Sequence, residues 1–133
     1  MLRKEYVGLY VLLIPFAIAL IAVLATAAYR PPSTQPTTVS GSDAAQGVQA
    51  LADYGCGACH VIAGVSGATG TVGPALNNLA QRAYIAGKLQ NTPDNLVQWI
   101  RFPQEVEPGV DMPDLGVTEA AARDIAAYLY TLK

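Results

Sequence analysis

Apolar and polar positions divide this chain of 133 residues into two unlike parts. No charged residue occurs from Tyr6 to Tyr29, and these 24 residues, at about 1.5 Å of helical rise each, reach about 36 Å, enough to cross an apolar bilayer core of about 30 Å. Residues 1–29 are therefore expected to form a transmembrane anchor. Arg3 and Lys4 precede the apolar run on a short tail, which the positive-inside rule keeps in the cytoplasm, with everything after Arg30 outside. Tyr6, Tyr10 and Tyr29 fit interfacial positions, and Pro15 is tolerated in such a helix at the cost of a kink. The competing reading is a cleaved signal ending at Ala25-Thr26-Ala27; the apolar run exceeds the ~7 to 15 residues of a signal core, which favours retention.

After the anchor, Arg30 to Ser42 is rich in proline, serine and threonine and has no apolar period, so residues 30–42 read as a linker. Residues 43–133 then show helical periodicity. Ser42 is a plausible cap for a helix running to about Tyr54, with Val48, Leu51 and Ala52 on one face. Four glycines between 61 and 74 mark an irregular loop. A short helix is expected over 74–82. Thr92-Pro93-Asp94 opens another helix through Leu96, Val97, Trp99 and Ile100, which Phe102-Pro103 stops. A proline-containing loop leads to Gly116, and Thr118 caps a last helix with Ala121, Ile125, Tyr128 and Leu132 on one face. No strand pattern or internal repeat stands out, so the class is all-α.

Composition narrows the function. From residue 31 onward five basic residues face nine acidic ones, a balance of about −4. That excludes a nucleic-acid partner and leaves membrane attachment to the apolar segment. A core this small would gain from a prosthetic group that fills its interior. Two cysteines separated by two residues do not make a secreted disulfide framework.

Cys56-Gly57-Ala58-Cys59-His60 is Cys-x-x-Cys-His, the attachment signature of c-type haem. Two thiols add across the vinyl groups on one porphyrin edge, and the adjacent histidine lies under the iron as proximal ligand. A thioredoxin-like pair would need a strand-helix context, and a zinc site would need ligands that the chain lacks, since His60 is its one histidine. By elimination the sixth ligand is Met112, because Met1 lies at the far end of the anchor; Lys88 or a tyrosine is the fallback, and a core-filling role is the alternative. A His/Met pair raises the potential and leaves no open coordination position.

Softer expectations surround the metal ligands His60 and Met112. Gly73-Pro74 can set a backbone carbonyl against the ring N–H of His60, and Leu76 is placed in the same cofactor-binding set with Pro74 and Pro113. Trp99 can donate to a haem propionate or simply pack in the core. Arg82 or Arg101 can neutralise a propionate or stay solvated. Glu105, Glu107, Asp111 and Asp114 form an acidic docking rim or a solvated loop.

With Gly47, Leu51, the haem motif, Gly73-Pro74, Met112-Pro113 and Tyr128-Leu129 in order, residues 43–133 resemble class I cytochromes c. The stretches Val72-Gly73-Pro74, 86–96, Trp99-Ile100-Arg101 and Pro103-Gln104 look like the cytochrome c domain fused to subunit II of some haem-copper oxidases. The resemblance implies a fold in which amino- and carboxy-terminal helices cross, here near Gly47 and Tyr128. It also implies redox protein partners upstream and downstream. The copper domain that precedes the cytochrome in those subunits is replaced here by the linker.

The expected function is one-electron transfer by a mono-haem c-type cytochrome, single-pass in the cell membrane, with its haem domain on the outer face. It would act as a carrier or as a subunit of a respiratory or photosynthetic complex, and it would transform no small-molecule substrate. An enzyme or sensor with a displaceable Met112, and a mainly structural subunit whose small residues Ala17, Ala19, Ala22 and Ala25 pack in the membrane, are the other classes.

Overall fold

The structure, a computed structural model, describes residues 4–28, 39 and 41–133, without the side chains of 4–10, 12, 27 and 28. The linker expectation, apart from Val39, Gly41 and Ser42, lies outside the described residues, as do Arg3 and Tyr29. Two units are distinguished, residues 1–34 and 35–133.

The first unit is helix α1, Lys4–Ala28, which continues through Pro15. Among its described side chains Val11, Phe16 and Ile21 are all exposed. Among the described residues no helix is by itself long and apolar enough to cross a membrane. The spanning expectation for residues 1–29 therefore stays with the sequence, which includes the side chains outside that description.

The second unit is helical around a small irregular interior. Helix α2, Ala44–Asp53, is capped by Asp43, whose carboxylate accepts from Ala45 N at 2.8 Å. That corrects the expected cap by one residue: the Ser42 hydroxyl donates instead to Val39 O at 2.7 Å, and Val39 is already buried in the core of this unit. Ala52, expected on the buried face, is exposed, and Gly47 and Leu51 take the interior positions.

Helix α5, Glu119–Leu129, starts at the expected Thr118 cap, where Thr118 Oγ1 accepts from Ala121 N at 3.2 Å. Its buried face is Ala122, Ile125, Ala126 and Leu129. The expected stripe through Ala121 and Tyr128 lies at the margin, because α5 packs on two helices rather than one. A Cβ on Gly47 would sit 2.2 Å from Asp124 O and 2.9 Å from Tyr128 Cβ. The bare backbone of α2 thus meets α5 where the crossing was expected.

Helix α3, Pro93–Arg101, has Thr92 as cap and Pro93 in its first turn, and turns Leu96, Val97 and Ile100 inward. Phe102 ends it, but Pro103 starts a one-turn helix at once, α4, Pro103–Val106. Proline at a first helical position loses no hydrogen bond, so a stop for one helix serves as the start of the next.

Two other expectations are corrected. The helix over 74–82 reduces to a 3-10 turn, Leu79–Gln81, since Asn78 stands at φ 61°, in the left-handed region, just before it. Strands do occur: β1, Tyr84–Ile85, pairs antiparallel with β2, Leu89–Gln90, in the register Tyr84 to Gln90 and Ile85 to Leu89.

Candidate haem-binding site

The cysteine motif begins where α2 ends. Tyr54 is the C-cap, Gly55 takes φ 68°, and Cys56–Ala58 forms a 3-10 turn that closes with Cys59 N and His60 N both donating to Cys56 O, at 3.2 and 3.1 Å. This compact turn holds Cys56 and Cys59 as half-buried free thiols beside the histidine. Burial pushes the Cys56 thiol above its ordinary value, its backbone hydrogen bond opposes this, and nearby Cys59 adds to it.

The glycine loop folds back on the turn. Gly70 N donates to Gly57 O at 3.0 Å, Gly73 N to Cys59 O at 2.8 Å, and Leu76 N to Val61 O at 2.9 Å. A Cβ on Gly73 would lie 2.3 Å from His60 Cε1, so only glycine lets the backbone pass flat against the ring. The next carbonyl, Pro74 O, is 2.7 Å from His60 Nδ1. A carbonyl can only accept, so Nδ1 carries the proton and Nε2 keeps its lone pair for a metal. Second-sphere bonds of this kind fix the tautomer and plane of ligating histidines.

The segment after Pro74 is shaped from outside. The Arg82 guanidinium donates to Ala75 O and to Asn77 O, and Asn77 Oδ1 accepts from Ala63 N at 2.9 Å. Arg82 therefore spends its charge on loop carbonyls. Asn91 Nδ2 donates to Leu79 O at 2.7 Å and Arg82 O at 2.8 Å, while its Oδ1 accepts from the Tyr130 hydroxyl at 2.8 Å. Sequence reasoning missed Asn91; its place just before the Thr92 cap was the available signal.

Met112 lies in the loop between α4 and α5, half-buried, with Pro113 exposed after it. Leu76 and Trp99 are half-buried against the core. Arg101 is turned toward Glu119, with Nη1 to Oε2 at 3.5 Å, and its guanidinium stacks over Phe102 at 4.6 Å. Lys88, the fallback ligand, pairs with Glu107 at 3.3 Å. Asp114 Oδ1 accepts from Gln104 N at 3.4 Å, so two of the four acidic-rim residues already have partners. An open depression of about 500 Å³ near Asp43, Glu119, Arg123 and Asp124 is lined by none of Cys56, Cys59, His60 and Met112.

Paired thiols, a histidine with Nε2 available and a glycine-flattened wall define a domain built to bind haem covalently. The family model described as Cytochrome c matches residues 44–133, and the chain belongs to the cytochrome c family. The chain is 40% identical over 90 residues to the cytochrome c oxidase subunit 2 of Alkalihalophilus pseudofirmus; the match covers 66% of this chain and 25% of that protein. The chain thus matches about a quarter of that relative's length. No solved structure matches. The cofactor is haem c, attached covalently through Cys56 and Cys59, and the domain is an electron-transfer domain.

Proposed function

We propose that this protein is a membrane-tethered mono-haem carrier that moves one electron at a time on the outer face of the cell membrane, alone or as a subunit of a respiratory or photosynthetic complex. The single observation that carries the reading is His60, whose Nδ1 is committed to Pro74 O and whose Nε2 is left as the ligating nitrogen. Haem supplies a one-electron ferric–ferrous couple at moderate to high potential when its axial ligands are histidine and methionine. The chain's own residues would hold it: Cys56 and Cys59 through thioether bonds, His60 through Nε2 with Gly73 and Pro74 fixing its ring, and Met112 through its thioether as the second iron ligand. A closed coordination sphere suits electron transfer better than oxygen or peroxide chemistry. The oxidase subunit 2 relative supports a respiratory setting, with redox proteins as donor and acceptor.

The ligation is tested on the ferric and ferrous protein. The ferric form should show the far-red charge-transfer band that reports iron–sulfur bonding in the class I cytochromes this domain resembles, and the ferrous form should refuse carbon monoxide. Absence of the band together with ready carbon monoxide binding would move the protein to the sensor or enzyme class. The tether is tested with protease on intact spheroplasts, which should release a haem-bearing fragment; protection until lysis would overturn the topology. Native gels of mild-detergent membranes, stained for haem, distinguish a free carrier from a complex subunit.

A further inference from the structure

The chain from Glu107 to Val117 has no regular structure, yet it carries Met112. Among the described residues, and apart from the turn bond from Val110 N to Glu107 O, the hydrogen bonds of residues 109–114 run to Gln104. Gln104 Nε2 donates to Val110 O at 2.6 Å and to Met112 O at 2.8 Å, while Oε1 accepts from Gly109 N at 3.2 Å. Both amide protons and one acceptor are in use, and the backbone N–H of the same residue reaches Asp114 Oδ1. Gln104 itself stands on α4, directly after the buried Pro103, so the clamp is bolted to the helical frame.

From this geometry we infer that Gln104 is a positioning residue that holds Met112 on the sixth coordination site, setting how often the thioether lets go. The inference rests on the reading of Met112 as a ligand. A loop tied by one side chain has an open state whose population the two carbonyl bonds suppress. Each net hydrogen bond is about a five-fold factor, so losing both raises the open fraction about thirty-fold. An outside ligand that competes with Met112 binds in proportion to that fraction.

The experiment titrates imidazole into the ferric holo-protein for wild type, Gln104→Ala, Gln104→Leu, Gln104→Glu and Met112→Ala. Gln104→Leu keeps the volume and guards against a variant that folds poorly. Gln104→Glu keeps the acceptor for Gly109 N but turns oxygen toward the two carbonyls, so it should open the loop at least as far. Imidazole should bind at least about thirty-fold more tightly to the Ala and Leu variants, which lose the Gly109 bond as well, with a weakened far-red band and a lowered reduction potential. If Met112→Ala leaves the band and imidazole affinity unchanged, the ligand reading fails and the inference falls with it. If Met112→Ala opens the site but the Gln104 variants keep wild-type band and affinity, with at most a lower denaturation midpoint, the ligand reading stands and the positioning role is overturned.

Discussion

Replacing Asn91 by alanine removes a side chain that ties the segment after Pro74 to Tyr130, at the carboxy-terminal end of α5. It loses the bonds to Leu79 O, Arg82 O and the Tyr130 hydroxyl, all between 2.7 and 2.8 Å and all partly buried. At about 1 kcal/mol net per bond the loss is about 3 kcal/mol, and more if water fails to reach the abandoned carbonyls. For a domain of this size that lowers the melting temperature by about 12–24 °C. Tyr130→Phe removes one of the same bonds and should cost about 1 kcal/mol. In the double variant the shared bond is counted once, so a cycle should show a coupling of about 1 kcal/mol. Guanidinium denaturation of the holo-protein, followed by far-UV circular dichroism, measures all four states. An Asn91→Ala variant within about 0.5 kcal/mol of wild type, or strictly additive effects, would refute the clamp. Asn91→Asp separates shape from donation, since it keeps the volume and points oxygen at two carbonyls; it should be no more stable than the alanine variant.

Three further outcomes follow from single positions. Gly73→Ala places a Cβ where His60 Cε1 already lies, 2.3 Å away, so the ring must swing off Pro74 O; haem spectra of the variant should show a perturbed or mixed axial ligation. Ala86 stands at φ 51° in the hairpin turn, and Ala86→Gly should raise stability by about 0.5–1 kcal/mol in denaturant titration by relieving left-handed strain. Before haem attachment, the raised Cys56 thiol keeps its proton to higher pH when folded than when unfolded. Its contribution to stability is therefore complete below the unfolded thiol value of about 8.5 and is lost as pH rises through the folded value. The urea midpoint of apo-protein should fall between neutral and alkaline pH by an increment that vanishes in holo-protein, where Cys56 is a thioether.

Much of the frame was legible because its signals are local. Thr92-Pro93 and Thr118 cap helices in the structure where their side chains say they should, and Cys56 to His60 carries its chemistry within five consecutive residues. Gly47 was legible as a place of close approach. What escaped depends on which distant backbone groups the fold brings near. Asn91 and Gln104 are ordinary amides in the sequence, and their meaning lies in carbonyls at Leu79, Arg82, Val110 and Met112. The hairpin escaped because two strands of two residues are too short for alternation to show, and α4 because four residues cannot display a helical period. The buried face of α5 was misplaced because periodicity gives the direction of one partner, while α5 packs on both α2 and α3.

The two amide clamps stand at the two ends of one helix. Asn91 precedes the cap of α3 and holds the loop on the His60 side; Gln104 follows its end and holds the loop on the Met112 side. Leu96, Val97 and Ile100 bury α3 in the core, against α5 among other elements, so one packed element fixes the origin of both clamps. Irregular loops are needed where carbonyl and thioether must approach a flat cofactor, but loops alone do not keep their shape when the charge beside them changes. A carboxylate in place of either amide could not donate to these carbonyls, and an ammonium could, yet its charge in a medium of low dielectric would favour one oxidation state over the other. Neutral amides brace the loops without that bias. On the proposed reading the potential would then be left to the two iron ligands, His60 and Met112.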